Sequence, residues 1–289
     1  MNESTLRSPA KINLCLSVLG KRPDGYHDVA MLMQMVGLCD EVTVTRGGRG
    51  ISVQCENHPA LSGEKNIAWK AADAMLRFAG MHADLAIVIK KNIPIAAGLG
   101  GGSGNAAAVL AALNKMLGIG LDRQCLAEIG SQLGMDVPFF FFGPTAIAQG
   151  RGEIIKNQSP PPKFWVLLVN PGFETSTAWV YNNVNLRLTK KVDCNKIARL
   201  NCRNIAEGLH NDLETVTSAA HPEINTIKQA LMAAGALGAL MSGSGPTVFG
   251  IFGSETECRS AAGGLHRAGW KLYPAETLTE SPLAGFLSG

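Results

Sequence analysis

The stretch Ile93–Ala107, IPIAAGLGGGSGNAA, sets five glycines and the small polar residues Ser103 and Asn105 directly ahead of an alanine-rich run of helical pattern. Glycine loses more conformational freedom on folding than any other residue, so it is concentrated where the backbone must take positive φ or lie against a ligand. The helix that follows turns unsatisfied N–H groups and the positive end of its dipole toward the loop, which makes an anion site. Phosphate is the usual occupant, because glycines let successive N–H groups form a concave nest with no side chain in the way. A plain tight turn is the alternative.

The familiar phosphate loops fit poorly. A P-loop requires Lys and then Ser or Thr after its last glycine, and GGGSGNAA has no such lysine. Gly102, Gly104 and Ala107 do fit GxGxxA, and Asp122 stands 20 residues after Gly102. That dinucleotide fingerprint, however, needs a tight turn from strand to helix, whereas LAIVIK ends near Lys90 and a long segment with Pro94 follows. Asp122, after GIGL, reads as a helix cap. No HRD or DFG signature of protein kinases is present.

The segments INLCLSVLG, EVTVTR, ISVQCE and LAIVIK predict strands, making the first third mostly sheet. Ile67, Ala71, Ala74, Met75 and Phe78 recur at helical spacing between Asn66 and Gly80. A second helix is expected over Asn105–Leu117, with Asn105 as its cap and Gly118 as its stop, and a third over about Arg123–Leu133. QSPPPK, from Gln158, separates this part from FWVLLVN, a new buried strand, and places a domain boundary at 160/161. Beyond it, a helix near Pro222–Ala234, the strand PTVFGIF, a helix near Glu255–Ala268 and KLYPAETL mix without strict βαβ order, which gives an α+β class.

With 289 residues and 46% hydrophobic content, the chain can fill a sizeable core. A net charge of +3, with only short basic pairs such as Lys190-Lys191, makes nucleic acid or an acidic membrane a poor default partner. Seven cysteines without CxxC or CxxH spacing argue against a disulfide framework or structural zinc and fit a reducing cytoplasm. The start MNESTLRSPAKINL has no apolar run behind a basic beginning, so a soluble, untargeted protein is expected.

PIAAGLGGGSGNAA resembles the second motif of the GHMP kinase superfamily, Pro-x-x-x-Gly-Leu-Gly followed by small residues. SPAKINLCLSVLGKRPDGYHDV and LMSGSGPTVFGIF resemble its first and third motifs, in the right order. The GLGGGS, AKINL, DGYH and GMDVPFFF segments are similar to one branch, whose acceptor carries a cytidine diphosphate group and which serves the non-mevalonate route to isoprenoid precursors. The resemblance implies two domains, 1–160 like domain 2 of ribosomal protein S5 and 161–289 ferredoxin-like, with ATP and Mg²⁺ in the cleft between them. It also implies a monomeric or homodimeric enzyme. Rival expectations are another GHMP kinase, acting on mevalonate, homoserine or a sugar, and a non-catalytic nucleotide-binding protein.

Site residues follow from the same resemblance. Asp136, a lone carboxylate in an apolar stretch, is implied as the base for the acceptor hydroxyl, and Lys11 as the cation that keeps it ionised. A buried ammonium in the apolar segment around Ala10 and Ile12 needs an anion in any case. Asn13 shares a strand face with Lys11 by period-two alternation. Tyr26 is implied to stack on cytosine and His27 to hydrogen-bond it, with Thr177 and Tyr181 as further acceptor contacts and Lys91 near the diphosphate. For ATP the implied residues are Asn66, Pro94, Gly98, Leu99, Gly100, Gly101, Gly102, Ser103, Gly104 and Asn105, with Gly243, Ser244 and Gly245 closing from the third motif. Ser103 falls near Mg²⁺ or the β-phosphate, and Gly104 takes the place of a usual second serine.

Overall fold

The computed structural model describes residues 2–190, 192–197, 202–265, 267 and 269–287. Lys191, the side chain of Cys202 and the far end of the helix read to Ala268 lie outside the described residues. Two long strands, β1 (Glu3–Lys21) and β2 (His27–Arg46), pair antiparallel across the turn at Asp24-Gly25. Gly25 has φ 86°, the left-handed conformation that such a turn requires and that glycine adopts without penalty.

β3 (Ile51–Cys55) runs parallel to β4 (Leu85–Lys90), and α1 (Ile67–Ala79) makes the crossover. The far edge of β2 is shared, with β4 along Glu41–Arg46 and β5 (Thr145–Gly150) along Val29–Gln34. Between β4 and β5 lie α2 (Gly101–Met116), α3 (Arg123–Ser131) and the short α4 (Phe139–Phe142), and β6 (Ile154–Asn157) pairs back on β5. α1 is fixed at both ends as its sequence indicated: Asn66 Oδ1 accepts from Ala68 N at 2.8 Å, and Gly80 closes it at φ 62°.

α2 is the central element. Ala106 through Leu113 are all fully buried, so this stretch of the helix has no solvent face and packs between α1 and the sheet. Small alanines allow that close approach on every side. The helix begins at Gly101 rather than Asn105, which corrects the expected cap: Gly100, at φ 67°, is the N-cap, and no side chain caps the first turn. Propensity points away from four consecutive residues containing three glycines, yet burial of the alanine body downstream carries the helix back through them.

The second sheet consists of β7 (Trp165–Asn170), β9 (Gly238–Met241), β10 (Val248–Phe252) and β11 (Lys271–Glu276), in the antiparallel order β11-β7-β10-β9. With α9 (Glu223–Ala233) and α10 (Glu255–Gly264) it forms the βαββαβ ferredoxin-like arrangement. The connection from β7 runs through α5 (Thr177–Asn182), α6 (Cys194–Ile197), α7 (Cys202–Glu207), β8 (His210–Asn211) and α8 (Glu214–Ala220).

The sheets change between Asn157 and Trp165, but the chain crosses back afterwards. β8 pairs parallel with β1, Cys15 opposite His210 and Leu16 opposite Asn211. Gln34 Nε2 donates to Leu278 O at 2.8 Å, and Val36 bridges Thr277. Among the described residues no helix is long and apolar enough to cross a membrane.

Candidate active site

The three glycine- and lysine-bearing segments meet at backbone level. Lys11 N donates to Leu99 O at 2.9 Å, tying the middle of β1 to the glycine loop. Ser242 Oγ donates to Gly98 O at 3.0 Å and accepts from Asn13 N at 3.3 Å, so one hydroxyl links all three motifs. Gly98 has φ 76°, and a Cβ built there would lie 2.1 Å from Ser242 O, so no other residue can occupy this crossing. At Gly100 a Cβ would come within 2.9 Å of Lys11 Cγ.

A cleft of about 1070 Å³ opens beside this junction. That exceeds the usual range for one small ligand, roughly 300–1,000 Å³, and suits two substrates side by side. On one wall lie Gly98–Ser103 and Asn105, with the open N–H groups of the first turn of α2 pointing where an anion would sit. Asn105 Oδ1 is buried without a hydrogen-bond donor, an acceptor that a nucleotide amine or hydroxyl would satisfy. Asn66 also lines the cleft, although its amide is already committed to Ala68 N and to Leu61 O at 2.8 Å.

Lys11 is 4% exposed, with Nζ 3.3 Å from Asp136 Oδ2 and 2.7 Å from Asn13 Oδ1. Two acceptors compensate the desolvated ammonium. Asp136 sits in the turn between α3 and α4 and keeps about 30% of its side chain open to the cleft. A carboxylate oxygen beside the buried ammonium and partly open to the cleft is within reach of a bound hydroxyl.

On the opposite wall His27 is buried and stacks on Tyr181, with centroids 5.4 Å apart and planes at 29°. Burial, and then the positive charge of Lys21, push His27 below its ordinary range, so it is neutral at pH 7 and offers one donor and one acceptor. Burial first, and Asp136 second, raise the Tyr181 phenol well above its usual range, keeping it protonated. Tyr26 is about half exposed at the rim. Thr177 Oγ1 lies 2.8 Å from Ser244 Oγ, joining α5 to the third glycine turn, which is also held by Thr175 Oγ1 donating to Ser244 O at 3.1 Å.

Lys91 lines the cleft, is 7% exposed and is paired with Asp40, whose carboxylate is fully buried. Asp40 also accepts from Asn92 N and Ile93 N at 2.7 and 2.8 Å, fixing the entry to the glycine loop. Gly104 does not line the cleft: its Cα faces β1, where a Cβ would lie 2.7 Å from Ser8 Oγ and 3.1 Å from Pro9 O, so a serine there would offer no hydroxyl to a phosphate. Gly245 likewise turns toward Met241 Sδ, 2.5 Å from a built Cβ, while Gly243 and Ser244 do face the cleft.

Asp40 and Arg151 are missing from the sequence reading. The Arg151 guanidinium lies 5.1 Å over the Tyr26 ring at the cleft rim, a cation–π contact between residues 125 apart in sequence. Neither has a local signal, because each acquires its partner only through sheet pairing.

Models of the GHMP kinases match at both ends, the N terminal domain over residues 66–144 and the C terminal over residues 193–269. The fold, the uncapped glycine helix and the lysine–carboxylate pair thus define a GHMP kinase, an ATP-dependent small-molecule kinase. A 4-diphosphocytidyl-2-C-methyl-D-erythritol kinase from Geobacter metallireducens is 50% identical over 265 residues, 91% of this chain and 94% of its own. The enzyme of the same name from Pelobacter propionicus is 49% identical over 282 residues, 96% of this chain and all of its own. A crystal structure of 4-(cytidine 5'-diphospho)-2C-methyl-D-erythritol kinase superposes with a TM-score of 0.84 at 33% identity, covering 95% of this chain and 99% of that one. The chain belongs to the 4-diphosphocytidyl-2-C-methyl-D-erythritol kinase family.

Proposed function

We propose that this chain transfers the γ-phosphoryl group of ATP to the 2-hydroxyl of 4-diphosphocytidyl-2-C-methyl-D-erythritol, as a cytoplasmic step of isoprenoid precursor biosynthesis. The observation that carries the proposal is the Lys11–Asp136 pair at 3.3 Å, set between an uncapped glycine helix and a wall of His27, Tyr26 and Tyr181 in one cleft. Asp136 accepts the hydroxyl proton as the oxygen attacks phosphorus, and Lys11 holds the carboxylate oriented toward that oxygen. The first-turn N–H groups of α2 bind the phosphate oxygens and align the γ-phosphorus for in-line attack. Tyr26 and Tyr181 offer faces for a pyrimidine, and neutral His27 reads its edge.

Mg²⁺ dehydrates reluctantly and takes few protein ligands beside substrate phosphates. The donor set here fits that habit: Ser103, at the first turn of α2, faces the cleft, and among the described residues no group of three His, Cys, Asp or Glu could hold a metal. Ser103 Oγ would hold the ion, which would supply neutralisation of phosphate charge. We place the domain division at 160/161, and take the partner to be the cytidyl acceptor, with no nucleic acid and a monomeric or homodimeric enzyme.

The test is ADP release with Mg·ATP and, in parallel, the cytidyl acceptor, mevalonate, homoserine and galactose, with phosphorus NMR of the product. Turnover confined to the cytidyl acceptor, with a new phosphomonoester signal, is expected. Turnover on another acceptor would keep the kinase and discard the assignment of Tyr26 and His27, and none at all would favour the non-catalytic reading.

A pH effect follows from His27. Its folded value lies below that of a free histidine, about 6.5, so it stays neutral through pH 7 and gains a proton only as pH falls through its lowered value. Protonation removes the acceptor nitrogen, so KM for the cytidyl substrate should rise as the pH falls through that lowered value, with KM for ATP changing far less. His27→Ala should raise acceptor KM at every pH and abolish that dependence. Equal changes in both KM values would exclude base recognition at this position.

A further inference from the structure

A pair of cysteines lies outside everything the reaction uses. Cys15 on β1 and Cys194 on α6 are 179 residues apart in sequence, yet their Sγ atoms stand 3.0 Å from each other, both buried. A disulfide bond is about 2.05 Å long, so roughly 1 Å of approach separates the two states. Around the pair, Lys190 N donates to Asp212 Oδ1 at 3.2 Å, Val192 N to Ser17 Oγ at 3.2 Å, and His210 pairs opposite Cys15. Contacts on either side of Cys194 in the chain, at Val192 and His210, thus tie its segment to β1.

We propose that Cys15 and Cys194 form a peroxide-oxidised modification site, whose product is a disulfide stapling α6 of the second half to β1 of the first, two residues beyond Asn13.

The chemistry balances with hydrogen peroxide as oxidant. The Cys194 thiolate attacks one peroxide oxygen, forming S–O and breaking O–O, and the departing hydroxide takes a proton to become water. The Cys15 sulfur then attacks the Cys194 sulfenic sulfur, S–S forms, S–O breaks, and the Cys15 proton leaves on the oxygen as a second water. Two sulfurs lose one electron each and the two peroxide oxygens gain them. The asymmetry of the pair suits this order: the hydrogen bond between the thiols lowers Cys194 below the usual cysteine range and raises Cys15 far above it. Elsewhere Cys39, Cys55 and Cys258 are pushed up by burial and have no sulfur beside them among the described residues.

The experiment exposes the purified enzyme to hydrogen peroxide, titrates thiols in denaturant, maps a non-reduced digest by mass spectrometry and follows urea unfolding. Two of the seven thiols should disappear, with a single cross-linked species joining the Cys15 and Cys194 peptides. The urea midpoint should rise, because a staple across a long loop removes entropy from the unfolded chain, and dithiothreitol should reverse all three changes. Cys194→Ser and Cys15→Ala should each abolish the cross-link and the midpoint shift. A peptide map of the wild type that links Cys194 elsewhere, or shows Cys39 or Cys125 oxidised with Cys15 and Cys194 intact, overturns the proposal even if neither variant folds.

Discussion

Asp136→Asn is expected to lower kcat by about 10²–10⁴, the usual contribution of a positioned general base, while KM for both substrates and the melting temperature stay near wild type. Asparagine keeps the volume and can still contact Lys11 Nζ, now 3.3 Å from the carboxylate, but it cannot take up the hydroxyl proton. The fold should survive because Lys11 retains Asn13 Oδ1 at 2.7 Å and the position is about 30% open to solvent, so the ammonium is not left as a bare buried charge. Lys11→Met should lose kcat as well, and the double variant should fall no further than the worse single one, since residues acting as a unit are not additive. Steady-state rates with saturating ATP and acceptor decide the matter. Wild-type kcat in Asp136→Asn would take the carboxylate out of proton transfer and leave binding as its role.

Gly98→Ala should cripple the enzyme by a different route. The missing Cβ would stand 2.1 Å from Ser242 O, a backbone atom held by its own turn, and φ 76° is unfavourable to alanine independently of space. Overpacking of this kind costs about 1–3 kcal/mol, and left-handed backbone adds about 1–2 kcal/mol. The melting temperature should fall, by about 2–4 °C for each kcal/mol in a chain of this size class, and the link from Ser242 Oγ to Gly98 O should break with it. Gly102→Ala is the control, because its nearest neighbour is Ile67 at 3.6 Å and its φ is not left-handed. That variant should fold normally and lose affinity for ATP. Thermal unfolding of the two side by side is the check, and an unchanged melting temperature for Gly98→Ala would refute the steric account.

Much of this was legible from local signals. Asp122 read as a helix cap and acts as one, accepting from Cys125 N at 2.8 Å, and Asn66, read as the limit of the first helix, caps it by accepting from Ala68 N at 2.8 Å. The glycine loop, Lys11, Asp136 and the third glycine turn were each visible as motifs, and the cleft brings all of them together. The start of α2 was not visible, because glycine propensity opposes it and only the buried alanine body settles it. The pairing of Lys91 with Asp40 was not visible, because the two are 51 residues apart and meet only when β2 and β4 pair. Arg151 carried no signal for the same reason. Gly104 was misplaced because a loop read as a string does not show which α-carbons turn toward β1 and which toward the cleft.

The return of β8 to β1 has a consequence for how the chain is made. Leu16 must wait for Asn211, 195 residues later, before its strand gains that neighbour. At about 5–20 residues per second of translation, the ribosome takes roughly 10–40 s to reach it. Throughout that interval the strand bearing Lys11 and Asn13 offers an unpaired edge to other nascent chains. An amino-terminal half synthesised alone would lack β8 and also Ser242, whose hydroxyl joins Asn13 to Gly98.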